Sequence, residues 1–403
     1  MPEYVSICLS YFLPGVKIKK CGYVFFSFTK PQTTNIIEDY FRMEDKMHFL
    51  PTEDHVKIGG RTIFRDNIRY LGYSATSISF RFTGKRAQAV IISDPADWPV
   101  EHHARIGVFI NDASEPVKRV ELTNLRQTVD LYESETTDTV TVTILKYSEP
   151  EYAICGIEEL IIDTDDLLPP PAPKARRIQI IGDSITCGYG IEGSGEDLLH
   201  DTAVENPVKA YSVKTARALD ADFEIVAWNG KGVISAYIGD GDQADDSWLV
   251  PMLYEYTDAG CCQQFFHEPP SMWEKWDHTR FEPDLVTVYL GTNDASYTKN
   301  YPERKKAFSL VYQGFLRNIH ARHPQAKILC MLGTMDQTLC STVQHAVKEF
   351  SQANADVAIK YLQLPLQDEE NDGTGTFWHP TEATHEKISQ LVTAAAKKLM
   401  GWD

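Results

Sequence analysis

The sequence predicts an all-β part followed by an α/β part built on a parallel sheet. Two observations carry this. Residues 51–163 fall into short runs of alternating apolar and polar side chains, rich in β-branched and aromatic residues. Beyond residue 177 the period changes, and strand-like apolar runs alternate with amphipathic helical ones. Between the two lies DTDDLLPPPAPKARR (163–177), whose proline run marks a stiff extended connection.

Residues 1–50 are slightly basic and aromatic-rich and show no clean period, so they are read as an N-terminal extension. Met43 and Met47 stand just before the patterning begins at PTEDHVKIGGRTIF, and the native start is expected near one of them. Residues 51–165 then offer RTIFRDN, SISFRFTG, AQAVIIS, RIGVFIND, KRVEL, QTVDLY and TVTVTILKYS as strands separated by turn residues. So many short strands with no helical stretch indicate a β-sandwich or jelly roll. Residues 166–177 form the proline-rich linker, and 178–403 the α/β domain. There RRIQIIG, FEIVAWNG, PDLVTVYLGTND, AKILCMLG and AIKYLQL read as strands. VKAYSVKTARALDA, AFSLVYQGFLRNIHARH, STVQHAVKEFSQANA and TEATHEKISQLVTAAAKKLM read as helices. Such alternation implies a parallel sheet covered on both faces, with sites forming outside the carboxyl ends of its strands.

Composition narrows the function classes. A formal net charge of −18 over 403 residues argues against nucleic acid or an anionic membrane as partner. No run of 18 or more apolar residues exists to span a bilayer. The loosely apolar start MPEYVSICLSYFLPGV lacks a basic lead and is interrupted by Ser6, Ser10 and Pro14, so no secretory signal is read and a cytoplasmic location is expected. The eight cysteines are scattered, with neither zinc-site nor disulfide-framework spacing, and are expected as buried reduced thiols.

The chemistry gathers in the loops at the strand ends. After the first strand comes Gly182-Asp183-Ser184, after the second Asn229-Gly230-Lys231-Gly232, and after the third Gly291-Thr292-Asn293-Asp294. Phe377-Trp378-His379-Pro380 precedes the final helix. A serine needs a base to become a nucleophile, and histidine is the usual one. An acyl-transfer oxyanion needs preorganised donors, which the Ser184 and Gly230 backbone N–H groups and the Asn293 amide can supply. Gly188, Gly190 and Gly193 also spell G-x-G-x-x-G, but no helix opens directly after them. They therefore read as a turning loop beside the cleft rather than a dinucleotide fingerprint.

Taken together, Gly182-Asp183-Ser184-Ile185, Gly230, Gly291-x-Asn293-Asp294 and His379 resemble the four blocks of the SGNH (GDSL-like) hydrolases over about residues 175–400. The resemblance implies a flavodoxin-like three-layer α/β/α domain. A narrower resemblance, to carbohydrate esterase family 2, reaches into the β part through GRTIFRDN, SISFRFTGKRAQAVI, VFIND and VTILKYSE. It implies a jelly roll joined to an SGNH domain that removes O-acetyl groups from plant polysaccharide, mannan or xylan type, without a cofactor or metal. By that resemblance Ser184 is the nucleophile and His379 the base, with Ser184, Gly230 and Asn293 as the oxyanion hole. Asp183 and Asp294 are supporting residues.

Here the chain departs from the family. The position three before the histidine, where SGNH hydrolases usually carry Asp, is Thr376. A backbone carbonyl can orient the imidazole in a Ser–His dyad, which is the favoured reading; Asp372, in a glycine-containing loop, is the alternative. Gly232 competes with Gly230, and His385 with His379, although a helical position suits His385 better to packing. Trp378, beside the base, is the candidate for stacking on a sugar, while Trp248, Trp273 and Trp276 are better suited to a core. The other functions weighed are a lipase or thioesterase on the same fold, and a silent hydrolase domain carrying a carbohydrate-binding module.

Overall fold

A computed structural model of the protein describes residues 46–94 and 99–403. The expectation about Met43 lies outside the described residues. Residues 47–403 form one compact body containing two sheets.

The antiparallel sheet comprises β1 (Met47–Phe49), β2 (Lys57–Gly59), β3 (Thr62–Arg65), β4 (Ile68–Leu71), β5 (Ser77–Ser93), β6 (Arg105–Ile110), β7 (Lys118–Glu121), β8 (Arg126–Lys146) and β9 (Cys155–Ile162). Its order is β3-β4-β9-β5-β8-β6-β7, with β1 added to β9 and β2 to β5. Met47–Phe49, which the sequence reading left in the extension, is thus part of the sheet, because three residues are too few to show alternation.

Two further differences have local causes. SISFRFTG and AQAVIIS are one strand, β5, and QTVDLY and TVTVTILKYS are one strand, β8. The apparent turn at Gly84-Lys85-Arg86 is a place where the β5–β8 register shifts, so the pair bends there without breaking. Strand β9 was not read from sequence because Glu158-Glu159 spoils its alternation. Val90 pairs with Glu159 and Ile91 with Ile157, so Glu158 is the extra residue of a bulge. The core of this half is the inward set that alternation predicts, including Ile78, Phe80 and Phe82 facing Val140, Val142 and Ile144.

The parallel sheet comprises β10 (Arg176–Gly182), β11 (Ala221–Ala227), β12 (Leu285–Tyr289), β13 (Lys327–Leu332) and β14 (Ile359–Gln363) in the order β11-β10-β12-β13-β14. Numbered within the sheet this is 2-1-3-4-5, the flavodoxin-like order. Its helices are α1 (Ser184–Cys187), α2 (Tyr211–Ala218), α3 (Val250–Leu253), α4 (Thr292–Thr298), α5 (Pro302–Arg322), α6 (Cys340–Ala353), α7 (Glu369–Asp372) and α8 (Glu382–Met400). Helix α2 packs on α8, and α5 on α6. Right-handed crossovers place these two pairs on opposite faces. Strand β10 is the switch point, since the chain leaves it for β11 on one side and returns to β12 on the other. Loops diverge there and leave a crevice at the carboxyl ends.

Among the described residues six cysteines are buried and unpaired, and no helix is long and apolar enough to cross a membrane.

A buried ion pair ties the two sheets together. Arg61, just before β3, donates Nε–H to Glu224 Oε1 of β11 at 2.9 Å and Nη1–H to the carbonyls of Tyr254 and Tyr256. Gln179 of β10 donates to the same carboxylate oxygen at 2.8 Å. Both charges are removed from water, so deleting one partner strands the other. Arg61→Ala is expected to lower the unfolding free energy by about 3–5 kcal/mol in urea melts. Arg61→Met combined with Glu224→Leu is expected to cost less, because no unpaired charge remains.

Candidate active site

The site lies where β10, β11 and β12 end. Asp183 follows β10 in an extended conformation, and its carboxylate accepts the Ile185 N–H at 3.1 Å, capping the single turn of α1. Ser184 is the first residue of that turn. Its N–H is among the donors that a helix start leaves without a helical partner. The turn closes at Gly188, which is left-handed. Ser184 Oγ lies 2.8 Å from His379 Nε2, a contact between residues 195 positions apart in sequence. Both side chains are buried.

His379 is oriented by a carbonyl. Its Nδ1–H donates to the Thr376 carbonyl at 3.0 Å, which leaves Nε2 as the acceptor facing the serine hydroxyl. The carbonyl comes round beneath the ring because Phe377 and Trp378 both take left-handed backbone angles, φ 51° and 58°. Such conformations in side-chain-bearing residues cost of order 1–3 kcal/mol each and persist only where the surroundings impose them.

The glycine-rich loop supplies that constraint. Thr376 N–H donates to the Gly190 carbonyl at 3.0 Å, Gly195 N–H to Thr374 at 3.0 Å, and Phe377 N–H to Asp197 at 3.2 Å. At Gly190, which has a φ of +59°, a Cβ would come within 2.7 Å of the Thr376 side chain. The run that looks like a dinucleotide fingerprint is the bed on which the base segment lies.

Asp372 is turned away. Its carboxylate takes Lys387 Nζ at 2.6 and 2.8 Å and Thr384 Oγ1 at 3.4 Å, which directs it onto α8. The geometry is that of a serine–histidine pair with a backbone acceptor.

Asn293 and Asp294 open helix α4 after β12. Asn293 Nδ2 donates to the Lys231 carbonyl at 3.0 Å and lies 3.5 Å from Asp183 Oδ2. Asp294 accepts the N–H groups of Val233, Ile234 and Ser235 at 2.8 to 3.1 Å, holding the loop after β11 against α4. Burial pushes the Asp183 carboxyl up to about 7 and Asp294 up to about 6, with the Asp294 charge adding to the rise at Asp183. Gly230 and Gly232 can now be told apart. A Cβ at Gly232 would run into Asp294 and the Ser235 carbonyl, so that glycine serves close packing. A Cβ at Gly230, φ +69°, would meet nothing within 4 Å, so that glycine faces open space beside the site.

Trp378, which precedes His379, is 52% exposed. Trp273 and Trp276 are buried, and Trp248 packs between Trp228 and Trp273 at ring distances of 5.6 and 4.5 Å. His385 is buried in α8, where its Nδ1 accepts the Tyr211 N–H at 3.1 Å at the start of α2. Sequence reading missed Tyr189, whose ring packs on His379 at 4.6 Å, and Asn229, which precedes Gly230. Neither carries a motif of its own; proximity to Ser184 and Gly230 was the available signal.

Comparison with known proteins fits this geometry. A family model described as GDSL-like Lipase/Acylhydrolase matches residues 180–387, from within β10 to within α8. The chain belongs to the GDSL-like lipase/acylhydrolase family. Within that family it resembles the carbohydrate esterases of family 2, whose N-terminal domain model matches residues 58–171. An acetylxylan esterase / glucomannan deacetylase of Cellvibrio japonicus is 28% identical over 356 residues, covering 87% of this chain and 90% of that protein. The cellulase/esterase CelE of Acetivibrio thermocellus is 28% identical over 359 residues, of which this chain spans 40% of the length. A family two carbohydrate esterase from Clostridium thermocellum, solved with cellohexaose, superposes with a TM-score of 0.75 at 26% identity, covering 86% of this chain and all of that one.

Burial lowers His379 to about 4, against which its hydrogen bond to the Thr376 carbonyl works only in part. The imidazole is therefore neutral and able to accept a proton throughout the neutral range. The acid limb of kcat/KM is expected near pH 4 and not near the ordinary histidine value of about 6.5. A rate–pH profile between pH 3 and 8 measures it. Asp372→Asn is expected to keep kcat within about twofold, whereas loss of a true triad carboxylate costs about 10⁴.

Proposed function

We propose that this chain is a carbohydrate O-acetylesterase acting on acetylated plant polysaccharide or its oligosaccharides, of mannan or xylan type. The observation that carries the reading is the 2.8 Å Ser184 Oγ–His379 Nε2 contact, with Nδ1 committed to the Thr376 carbonyl. The similarity to the acetylxylan esterase / glucomannan deacetylase of Cellvibrio japonicus suggests the substrate class.

In the proposed cycle His379 Nε2 takes the Ser184 proton as Oγ bonds to the acetyl carbonyl carbon. The resulting oxyanion is held by the Ser184 and Gly230 N–H groups and by Asn293 Nδ2, whose long contact to Asp183 is easily exchanged for a stronger acceptor. The tetrahedral intermediate collapses, the sugar oxygen leaves, and it takes the proton from His379. Water then loses a proton to the same imidazole and attacks the acetyl-serine, and as the Oγ–acyl bond breaks Ser184 Oγ takes that proton back and acetate is released. Asp183 and Asp294 hold the loops, and Trp378 offers its exposed face to a sugar ring. We read the curled antiparallel half as a jelly roll, supported by the match of the esterase 2 N-terminal model to residues 58–171.

Ser184→Ala is expected to lower acetate release from acetylated mannan or xylan oligosaccharides by about 10³-fold or more and to abolish labelling by a fluorophosphonate probe. Product NMR on the oligosaccharides reads the first and mass spectrometry the second. Unchanged acetate release by the variant would sink the reading.

A further inference from the structure

Glu149 and Glu205 are buried against each other from opposite halves of the molecule. Glu149 follows β8 of the antiparallel sheet, and Glu205 lies between α1 and α2. The Glu149 N–H donates to Glu205 Oε2 at 2.8 Å, while the other carboxyl oxygens, Glu149 Oε1 and Glu205 Oε1, are buried without a hydrogen-bond partner. Two carboxylates buried side by side repel each other and are costly to ionise together, which favours a proton on one of them.

The same glutamate reaches the oxyanion loop. Glu149 Oε2 accepts the Asn229 N–H at 2.7 Å, and Tyr152 Oη accepts Asn229 Nδ2–H at 2.9 Å. Strand β11 ends at Ala227, so the sheet ladder does not hold Asn229. One loop of the antiparallel half thus grips both the backbone and the side chain of the residue immediately before Gly230.

We propose that Glu149 is a positioning residue for the oxyanion hole, fixing Asn229 and hence the direction of the Gly230 N–H, and that it works as one member of a carboxylic acid–carboxylate pair with Glu205. The inference rests on the esterase reading, in which the Gly230 N–H is an oxyanion donor.

The surroundings suit a single negative charge. Lys146 of β8, buried, donates to the Gly72 and Ser148 carbonyls and draws Glu205 toward its ionised form. Glu151 and Asp201 oppose ionisation from the flanking loops. Cys187, the last residue of α1, Tyr189 and Tyr152 stay protonated, because burial and the two glutamates raise all three. His200 Nε2 stands 3.5 Å from Glu205 Oε1 and stays neutral, because burial lowers it to about 3. Burial first, and the neighbouring carboxyl next, push Glu149 well above the usual carboxylate range, and burial pushes Glu205 up to about 8. Raised values mean that the shared proton is present below that pH and lost above it.

The test uses the full chain with p-nitrophenyl acetate. Glu149→Ala is expected to lower kcat by about 100-fold with KM changed less than about twofold, as for a misplaced transition-state donor. Glu149→Gln keeps an acceptor for Asn229 and gives Glu205 a donor that does not ionise. It is expected to recover kcat at pH 6 to within about threefold. Wild-type kcat is expected to fall as pH rises through about 8, and the kcat of Glu149→Gln is expected to lack that fall. Wild-type kcat in Glu149→Ala, or an unchanged alkaline fall in Glu149→Gln, overturns the inference. If Glu149→Ala does not fold, the Glu149→Gln profile alone decides. A wild type that neither releases acetate nor labels with the fluorophosphonate overturns the esterase reading, and the inference with it. A fully active, labelled Glu149→Ala overturns the inference alone.

Discussion

The hydrogen bond from His379 Nδ1 to the Thr376 carbonyl is the contact on which the site depends. It selects the tautomer, aims Nε2 at Ser184, and does so without a carboxylate. A neutral acceptor stabilises an imidazolium less than a charged one would, and burial lowers the base further. The site therefore relies on geometry. Two consecutive left-handed residues turn the carbonyl under the ring, and backbone hydrogen bonds from residues 190–197 hold that turn in place. The strain is local, and the packing that offsets it comes from the loop that also follows the nucleophile.

The two halves of the molecule are coupled through buried polar groups as well as apolar surface. Arg61 reaches from the antiparallel half to Glu224 in the middle of β11, and Glu149 reaches to Asn229 in the loop that follows it. One strand of the parallel sheet and the loop that follows it are thus each held from the other half. Displacing the antiparallel half would strand an arginine, two glutamates and an asparagine backbone N–H without partners, which favours a single relative arrangement over many.

Much of this was legible in the sequence because the signals were local. A serine at a strand end, glycines where the backbone turns, and a Gly-x-Asn-Asp block after an apolar strand each need only a short window. Their convergence follows from the parallel topology, which puts every strand's carboxyl end on one edge. What escaped was carried by groups without a side-chain signature or by breaks in period. Strand β9 was hidden by its bulged Glu158, and β5 and β8 were divided where a register shift imitated a turn. Glu149 and Tyr152 sit in a loop of the other sheet and had no motif linking them to Asn229.

By itself the sequence determined the order of sheets and helices, the serine, histidine, glycine and asparagine of the candidate site, and the absence of an Asp three residues before the histidine. Periodicity and spacing record these because each is set by the backbone within a few residues. Only the tertiary structure decided that Thr376 supplies the acceptor, that Asp372 belongs to Lys387, that Gly232 is packed while Gly230 is open, and that Glu149 from the other half accepts the Asn229 N–H. A carbonyl is present at every residue, and a carboxylate can turn either way. Which one meets the imidazole depends on how distant segments pack, and no single window of sequence contains that.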